Sequence, residues 1–369
     1  MFNSLQALNR KYNIILLSFI ENSEQEQYIP ELRKLCKEVF TVLRRPTWHA
    51  LFNKISLPVF IKYFYSEEME EKAKFCFKYF DIDLVQIEYI NMAYYAKFMP
   101  PIPKILIEHD TSIYTLNHSY ERPVFGRILR FFDWLNWSHF QKMIYRYFDR
   151  IVAFSEDDLK IIRNASPADK VSILPIAIDA DSYQFSSEAK KSIDILFIGH
   201  MLHYPNLDGL NYFIRKILPL IKREMPEIRL SVVGSGIKEV ESAIQKDSNI
   251  DIVGEVEEIR PYLSKAKVMV APIRLGAGIK VKILEAMAAG VPVVATRAAA
   301  KGLKVVLGKD ILIADSPSDF ALKVLSLIKD KSQRIAIAKN ARCVVETHYD
   351  VKQITQEESL LYESMYNPG

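Results

Sequence analysis

The sequence predicts an α/β protein built from two doubly wound parallel sheets. Short runs rich in β-branched residues alternate along the chain with longer stretches of helical periodicity, as in parallel strands joined by helices. Several of these runs are apolar throughout, which is typical of strands that helices cover on both faces. The length of 369 residues favours two domains, since a domain has roughly 100–200 residues.

Nine runs are predicted to be strands, four in the first half of the chain and five in the second. They are Ile14–Ser18, Leu84–Ile87, Lys104–Glu108, Arg150–Phe154, Asp194–Ile198, Arg229–Val233, Asp251–Val253, Val268–Ala271 and Val291–Ala295. Ser155 is followed by three acidic residues and predicts the start of a helix, because its hydroxyl can cap the free backbone N–H groups there.

The domain boundary is predicted between residues 176 and 190. A strand-like run ends at Pro175, a polar stretch follows, and a new strand–helix series opens at Ile193. We expect an amino-terminal domain over residues 1–182 and a carboxy-terminal domain over residues 183–347. Residues 348–369 are expected to form a helix that crosses back onto the first domain.

Composition excludes several classes of protein. Lys and Arg number 49 against 45 Asp and Glu, so the net charge of +4 is too small for a dedicated nucleic-acid binder. Three widely spaced cysteines, Cys36, Cys76 and Cys343, form neither a disulfide framework nor a zinc motif. No apolar run reaches the roughly 18 residues of a membrane span, and the chain does not open with the pattern of a signal peptide. We expect a cytoplasmic protein with no nucleic-acid partner.

The most informative stretch is IRLGAGIKVKILEAMAAGVPVVAT, Ile273 to Thr296, where a strand end, a glycine loop, a helix and another strand follow one another. Gly276 and Gly278 allow the backbone to turn tightly and to approach a ligand closely. A helix that begins near Lys280 directs unpaired N–H groups at this loop, where a diphosphate is favoured.

Lys280 and Lys282 add positive charge at this helix start, where lysines are unfavourable unless an anion is present. Glu285 lies one turn further along, within reach of a sugar hydroxyl. Considered alone, the loop leaves a second interpretation open, which is a structural turn beside solvated lysines.

The same stretch resembles the signature region of the GT-B glycosyltransferases of family 4, also called glycosyl transferases group 1. The family pattern LEAMAxGxPVVAT corresponds to Leu284 to Thr296. Further landmarks follow in the family's order, namely DRIVAFSEDDL, FIGH with YPNLDGLNYF, LSVVGSG and IVGEVEEIRPYLSKAKVMVAPI. The resemblance is strongest over residues 192–315.

The resemblance implies two Rossmann-like domains that face each other across a cleft, with the donor on the second and the acceptor on the first. It implies a hexosyltransferase that moves a sugar from a nucleoside diphosphate with retention of configuration, without a metal or a cofactor. Glu285 would hold the donor ribose. The donor-binding positions implied are Gly199, His200, Asn206, Gly234, Glu255, Val256, Gly276, Gly278, Ile279 and Lys282.

Departures from the family pattern concern the sugar and the diphosphate. The family usually has two glutamates with seven residues between them, and Ala277 stands at the first of these positions. His200 and Asn206 stand near the places of a common Arg and Lys. A sub-group of bacterial polysaccharide and lipopolysaccharide transferases resembles this variant, and on that resemblance Lys280 and Lys282 take over the diphosphate. The identity of the sugar stays open.

In the first half, His109 follows a predicted strand, at the edge where open α/β sheets bind ligands. The family resemblance makes it a catalytic candidate, together with Lys280 and Glu285, that contacts the donor sugar and the reacting phosphate. Glu88 and Asp110 are candidates for contact with the acceptor. Each of these three residues also has an ordinary interpretation as a surface or loop side chain.

The segment from Arg122 to Arg150 interleaves arginines with aromatic residues at helical spacing. Such a helix can lie on an anionic membrane surface, which would place the protein peripherally on the inner face of the cytoplasmic membrane. The alternative is a long helix packed on its own sheet, which the predicted strand that follows favours.

Two other functions remain open beside sugar transfer to a glycan or lipid-linked acceptor in surface-polysaccharide synthesis. One is a nucleotide-sugar 2-epimerase on the same fold, and the other is a non-catalytic protein that binds a nucleotide-sugar. Family members open with a strand and a glycine-rich loop before the helix that corresponds to residues 2–12, whereas this chain begins inside that helix. We therefore expect a truncated form with poor activity, whose first sheet lacks its central strand.

Overall fold

The computed structural model describes residues 2–45, 57–109, 111, 135–185, 191–236, 247–276 and 278–366. They form two compact units, of which unit 1 comprises Met1–Pro175 with Lys352–Gly369 and unit 2 comprises Ile176–Val351. The chain passes into unit 2 before residue 182, because the buried side chains of Ile178 and Ala180 already belong to the unit 2 core.

Unit 1 contains two parallel sheets, a pair β1-β2 and a four-stranded sheet in the order β3-β4-β5-β6. No pairing joins the two sheets within the described ranges. The strands are β1 Ile15–Ile20, β2 Glu38–Leu43, β3 Val85–Glu88, β4 Lys104–Glu108, β5 Arg150–Ala153 and β6 Val171–Ile173. The helices before residue 175 with assigned bounds are α1 Phe2–Leu8, α2 Ile29–Arg33, α3 Val59–Tyr63, α4 Glu67–Tyr79 and α5 Glu156–Arg163.

Serine caps set the starts of two unit 1 helices. Ser66 Oγ accepts a hydrogen bond from the N–H of Met69 ahead of α4, and Ser155 Oγ accepts one from the N–H of Asp158 ahead of α5. Acidic residues fill the first turn of both helices, which suits the positive end of a helix dipole. The predicted helix start at Ser155 is confirmed.

Unit 2 contains one continuous parallel sheet in the order β12-β11-β10-β7-β8-β9. Its strands are β7 Ile193–Ile198, β8 Leu230–Val233, β9 Ile250–Gly254, β10 Ala266–Ala271, β11 Val293–Ala295 and β12 Leu312–Ile313. Its helices are α6 Tyr204–Tyr212, α7 Leu218–Glu224, α8 Arg260–Lys265, α9 Val281–Ala288, α10 Pro317–Lys329 and α11 Lys331–His348. The chain reverses direction across the sheet between β7 and β10, and open α/β sheets bind ligands at the carboxyl ends of strands at such a point.

One turn of π-helix, Phe213–Ile217, separates α6 from α7. The side chains of Phe213 and Ile217 are both fully buried in the core of unit 2. The wider turn therefore keeps two large apolar residues on the inner face.

Unit 1 receives two further helical segments. Residues 135–144 are helical, and the side chains of Trp137, Phe140 and Ile144 are buried in the unit 1 core. Residues 122–134 of the predicted membrane-contact segment lie outside the described residues. The last helix, α12 Val351–Tyr366, returns to unit 1, where Tyr362 Oη donates a hydrogen bond of 2.5 Å to Gln86 Oε1.

Candidate functional site

A cavity of about 430 Å³ opens at the carboxyl ends of β7 and β8 and at the start of α9. Nine of the predicted site residues line it, namely Gly199, His200, Asn206, Gly234, Glu255, Val256, Ile279, Lys280 and Lys282. His203, Pro205 and Ser235 also line it and were not predicted. The predicted residues Gly276, Gly278 and Glu285 are not part of its wall.

The floor of this cavity is backbone packed on backbone. The N–H of Gly199 donates to the carbonyl of Val233 at 3.0 Å, and the N–H of Gly234 donates to that of Gly254 at 2.7 Å. Gly234 has a φ of 141°, and a Cβ added to it would lie 1.9 Å from the carbonyl oxygen of Gly199. Only glycine tolerates both this φ and the close approach of the Gly199 carbonyl. A ligand bound here therefore contacts backbone groups directly.

Polar side chains connect the loops around the floor. His200 Nδ1 and Ser235 Oγ are 2.6 Å apart, which links the loop after β7 to the loop after β8. Asn206 donates through Nδ2 to the carbonyl of His200 at 3.0 Å. Its Oδ1 accepts a hydrogen bond from Lys282 Nζ at 2.7 Å. Asn206 therefore positions one lysine of the predicted diphosphate site.

Lys282 carries the most perturbed charge of this site. Its Nζ donates to the carbonyl of Ile198 at 2.8 Å as well as to Asn206. Burial, followed by the charge of Lys280, lowers the pKa of Lys282 to about 7. The ammonium is thus held by neutral oxygens and loses its proton easily. A bound anion would stabilise the charged form and raise the pKa of Lys282 again.

The glycine loop leads into α9 as predicted. Lys280 is the N-cap residue of this helix, and its Nζ donates to the carbonyl of Gly278 at 3.0 Å. Gly276 has a φ of 88°, and a Cβ there would lie 3.3 Å from the ring of Pro205. Ala277 lies outside the described residues. The first turn of α9 contains no acidic residue. The backbone N–H groups at this helix start and the two lysines therefore all contribute positive charge, which favours an anion.

Glu285 lies further along α9 and has a hydrogen-bond partner, Tyr183, that the sequence did not predict. Tyr183 Oη donates a hydrogen bond of 3.1 Å to Glu285 Oε1. Burial raises the pKa of the Glu285 carboxyl, while the bond from Tyr183 acts in the opposite direction. Burial, followed by the charge of Glu285, raises the pKa of Tyr183. The pair is a half-buried donor and acceptor that a ribose hydroxyl can join.

Unit 1 brings His109 and Glu88 together at the carboxyl ends of the neighbouring strands β3 and β4. The His109 Nε2–H donates to Glu88 Oε2 at 2.5 Å. The ring of Tyr89 stacks on the imidazole at 3.9 Å between centroids, and the ring of Phe154 meets it edge-on at 4.9 Å. Tyr89 has a φ of 70°, which is strained for a tyrosine. Asp110 lies outside the described residues.

In the described ranges, no three His, Cys, Asp or Glu side chains cluster as a metal site requires. Within the same ranges no helix combines the length and the apolar character needed to cross a membrane.

Sequence comparisons identify the carboxy-terminal half. Residues 192–330 match the family model described as glycosyl transferases group 1. A 44.6 kDa protein of the cps region of Klebsiella pneumoniae is 25% identical over 336 residues, which are 88% of this chain and 84% of the relative. A glycosyltransferase of Methanocaldococcus jannaschii is 27% identical over 155 residues, 40% of this chain and 41% of the relative.

Solved structures resemble the whole chain. HepE of Anabaena, in complex with UDP and glucose, has a TM-score of 0.68 at 14% identity, and the match covers 98% of this chain and 95% of HepE. Sucrose-phosphate synthase of Thermosynechococcus elongatus has a TM-score of 0.69 at 15% identity, with 97% and 100% covered. The chain is therefore similar to glycosyltransferases with the GT-B fold of two Rossmann-like domains, and its residues 192–330 match glycosyl transferases group 1.

Proposed function

We propose that this protein transfers a hexosyl group from a nucleoside-diphosphate sugar, with retention of configuration, to a glycan or lipid-linked acceptor during surface-polysaccharide synthesis. The observation that carries the proposal is the unit 2 cavity, where Lys280, Lys282 and the start of α9 meet a backbone floor. A relative from a cps region and a similar structure that holds UDP and glucose support the acceptor and donor classes.

In this proposal, the diphosphate binds beside the two lysines and the first turn of α9. During transfer the bond between the anomeric carbon and the diphosphate oxygen breaks, and its electron pair stays on the diphosphate. A new bond forms between that carbon and the acceptor oxygen. The positive charges of Lys280 and Lys282 stabilise the leaving diphosphate more than the bound donor, which lowers the barrier to transfer.

Glu285 would hold the ribose of the donor. Its Oε1 already accepts from Tyr183 at 3.1 Å, so a second oxygen and further lone pairs remain for sugar hydroxyls. The nucleobase would lie against the backbone around Glu255 and Val256, which line the same cavity.

His109 would act on the sugar or on its leaving phosphate. Its hydrogen bond to Glu88 fixes the orientation of the ring, and the stacked Tyr89 restricts its rotation. Glu88 then acts as a positioning residue for His109, in addition to its proposed contact with the acceptor. The proposed reaction uses no metal and no cofactor, and it takes place on the cytoplasmic side, where a peripheral membrane contact would serve a lipid-linked acceptor.

The test is a panel of UDP-, GDP- and TDP-sugars with the full chain. We expect one donor to raise the unfolding temperature and to be hydrolysed slowly, or transferred when an acceptor glycan is present. The Lys280→Ala variant should lose both effects, whereas Lys309→Ala, an exposed lysine of unit 2 outside the cavity, should keep them. Epimerisation without transfer, or binding without any turnover, would contradict the proposal and favour one of the two other functions.

A further inference from the structure

A row of five polar side chains in unit 1 runs from the last helix to the candidate catalytic histidine, namely Glu358, Tyr362, Gln86, Glu88 and His109. Gln86 and Glu88 are two residues apart on β3, so their side chains lie on the same face of the sheet. Glu358 and Tyr362 are four residues apart on α12, so they lie on the same side of that helix. Two elements that are far apart in the sequence therefore each present a pair of polar groups.

Hydrogen bonds connect the members of this polar row. Glu88 binds His109 through Oε2, and its other oxygen, Oε1, accepts a bond of 2.8 Å from Gln86 Nε2. Gln86 Oε1 accepts from Tyr362 Oη at 2.5 Å, and Tyr362 Oη lies 2.7 Å from Glu358 Oε1. Both oxygens of Glu88 are thus bonded, one to the candidate catalytic residue and one to a side chain that α12 holds.

The orientation of the Gln86 amide depends on Tyr362. An amide can present either its oxygen or its nitrogen to a neighbour. Gln86 has to turn its NH₂ group towards Glu88, because its carbonyl oxygen would repel the carboxylate. The hydroxyl of Tyr362 donates to that carbonyl and so fixes the favourable orientation. Gln86, Glu88 and Tyr362 all line a cavity of about 1260 Å³ in unit 1, so packing does not surround them on every side.

The proton count at Tyr362 sets the direction of these bonds. Its hydroxyl has one proton but two acceptors, Gln86 Oε1 and Glu358 Oε1, within 2.7 Å. Both contacts are hydrogen bonds when Glu358 is protonated and donates to Tyr362 Oη. Burial raises the pKa of Glu358, while the hydrogen bonds of Tyr362 and Gln86 lower it. The charge of Glu88 acts in the same direction as burial and favours the protonated form.

We propose that Gln86 and Tyr362 are positioning residues, which hold Glu88 in the orientation that binds His109. Glu358 supports them by donating to Tyr362. The inference rests on the proposed function, in which His109 acts on the donor sugar or on its leaving phosphate. The effect of α12 on the reaction then passes through Glu88 and His109, and the last helix contributes to the site on unit 1 as well as to its packing.

The experiment removes single polar groups from the row in the full chain. Tyr362→Phe keeps the ring, which packs edge-on against Tyr12 at 5.5 Å between centroids, and removes only the hydroxyl. We expect kcat to fall about 3–10-fold, as for the loss of one neutral hydrogen bond, while the donor KM changes by less than about twofold. Tyr366→Phe is the matched control on the same helix, because that tyrosine is exposed and lies outside the row, and it should leave both constants unchanged.

A second readout needs no donor. The Nε2 proton of His109, bonded to a carboxylate, should give a proton resonance far downfield of the backbone amides, identified by its absence from His109→Gln. Tyr362→Phe and Gln86→Met should shift this signal upfield and broaden it, because water reaches the proton when Glu88 is no longer held. If Tyr362 served only to dock α12, the signal would stay in place.

Glu358 provides a matched pair of variants. Glu358→Gln keeps a neutral donor for Tyr362 Oη and should behave like the parent chain, whereas Glu358→Met should behave like Tyr362→Phe. The proposal is overturned by equal losses in both Glu358 variants, by an unchanged signal in Tyr362→Phe, or by the absence of the signal from the parent chain. If no donor is turned over, the transfer reaction fails, while the His109 signal still decides whether Tyr362 holds Glu88.

Discussion

Strands β1 and β8 are both apolar apart from one serine, and each pairs with an outer strand, yet they are buried to different extents. All four residues of β8, LSVV, are buried, whereas five of the six residues of β1, ILLSFI, are only partly buried. β8 lies between β7 and β9, while β1 has β2 on one side and a large cavity on the other. An apolar strand in a parallel sheet is therefore buried by its neighbours, and not by its composition alone.

The same contrast applies to the two groups of candidate residues. Lys280, Lys282 and Gly234 line one cavity at the carboxyl ends of a sheet in which each central strand is paired on both sides. Glu88 ends β3, a strand whose second edge faces the cavity of unit 1. We expect the unit 2 site to be rigid before any ligand binds, and the position of Glu88 to depend on what fills that cavity.

Amide exchange tests the difference between β1 and the central strands of unit 2 most directly. Ile15 and Leu17 should exchange at least about 1,000-fold faster than Leu196 and Met269 in the centre of the unit 2 sheet. The reason is that open edges exchange by small local motions, while central strands exchange by global unfolding. Exchange measured by mass spectrometry on the full chain checks it, and equal protection of the two groups would contradict the open edge.

A glycine pair tests how tightly the floor of the unit 2 site is packed. Gly234→Ala should destabilise unit 2 by about 3 kcal/mol or more, because it combines an unfavourable φ with a clash against Gly199. Gly254→Ala has a positive φ but open space around the new methyl group, so about 1–2 kcal/mol is expected.

Both losses are measured by amide exchange within unit 2, since a chain of two units need not unfold in one step. Strands β3 and β4 of unit 1 should keep their exchange rates in both variants. If the two variants lost similar free energies of unfolding, the close approach of Gly234 to Gly199 would contribute little to the destabilisation.

Steady-state kinetics should separate the candidate residues of the two units. Lys280→Ala and Glu285→Ala remove charge-assisted contacts of about 1.5–3 kcal/mol, so donor affinity or rate should fall roughly 10–100-fold. His109→Ala should lower kcat with little change in donor binding, if its contact forms in the transition state. Glu88→Gln should have a milder effect in the same direction, because it weakens the hydrogen bond that orients the ring.

These kinetics require the donor identified by the panel. Unchanged constants in both unit 2 variants would remove the donor site from the cavity. Normal turnover of His109→Ala would return that histidine to an ordinary surface role.

Binding of UDP should change the protonation of Lys282, which is a small effect. Since its pKa is about 7 in the free protein, most of this side chain is neutral at pH 8. A diphosphate stabilises the charged ammonium, so UDP binding at pH 8 should take up close to one proton, and affinity should fall as pH rises above 7. UDP itself contributes little there, because a secondary phosphate has a pKa of about 6. Calorimetry in buffers of different ionisation enthalpy measures the uptake.

The Lys282→Met variant is the control for that measurement and should show no proton uptake. The stability of the free protein has the opposite dependence on pH. The folded state binds fewer protons than the unfolded state between the lowered pKa of about 7 and the ordinary value of 10.5, so this lysine makes stability rise with pH across that window. If the variant takes up as many protons as the parent, another group titrates.

Much of the fold could be predicted from hydrophobic runs, because buried parallel strands carry a strong local signal. All nine predicted strands are present, with ends shifted by at most two residues. Strand β2, Glu38–Leu43, was missed because it begins with a charged residue and its burial alternates irregularly. Strand β12 has only two residues, and a pattern that short cannot be distinguished from a loop.

The candidate site was predictable where its residues are close in sequence. Gly278, Lys280 and Lys282 lie within one short segment. Lys280 Nζ donates to the carbonyl of Gly278, and both lysines line the same cavity. Tyr183 and Glu285 are 102 residues apart, and no local pattern connects them. The pairing of Glu88 with His109 had a usable signal, since both follow neighbouring predicted strands whose carboxyl ends share one edge.

The π-helical turn between α6 and α7 amounts to one extra residue in an otherwise α-helical stretch. Removing one residue from Phe213–Ile217 would restore a regular helix and rotate Asn206 by about 100° around the helix axis relative to Leu218. Asn206 would then lose its bond to Lys282 without any substitution in the site. Insertions and deletions in this turn are therefore a route by which evolution or protein engineering can retune the diphosphate site from a distance.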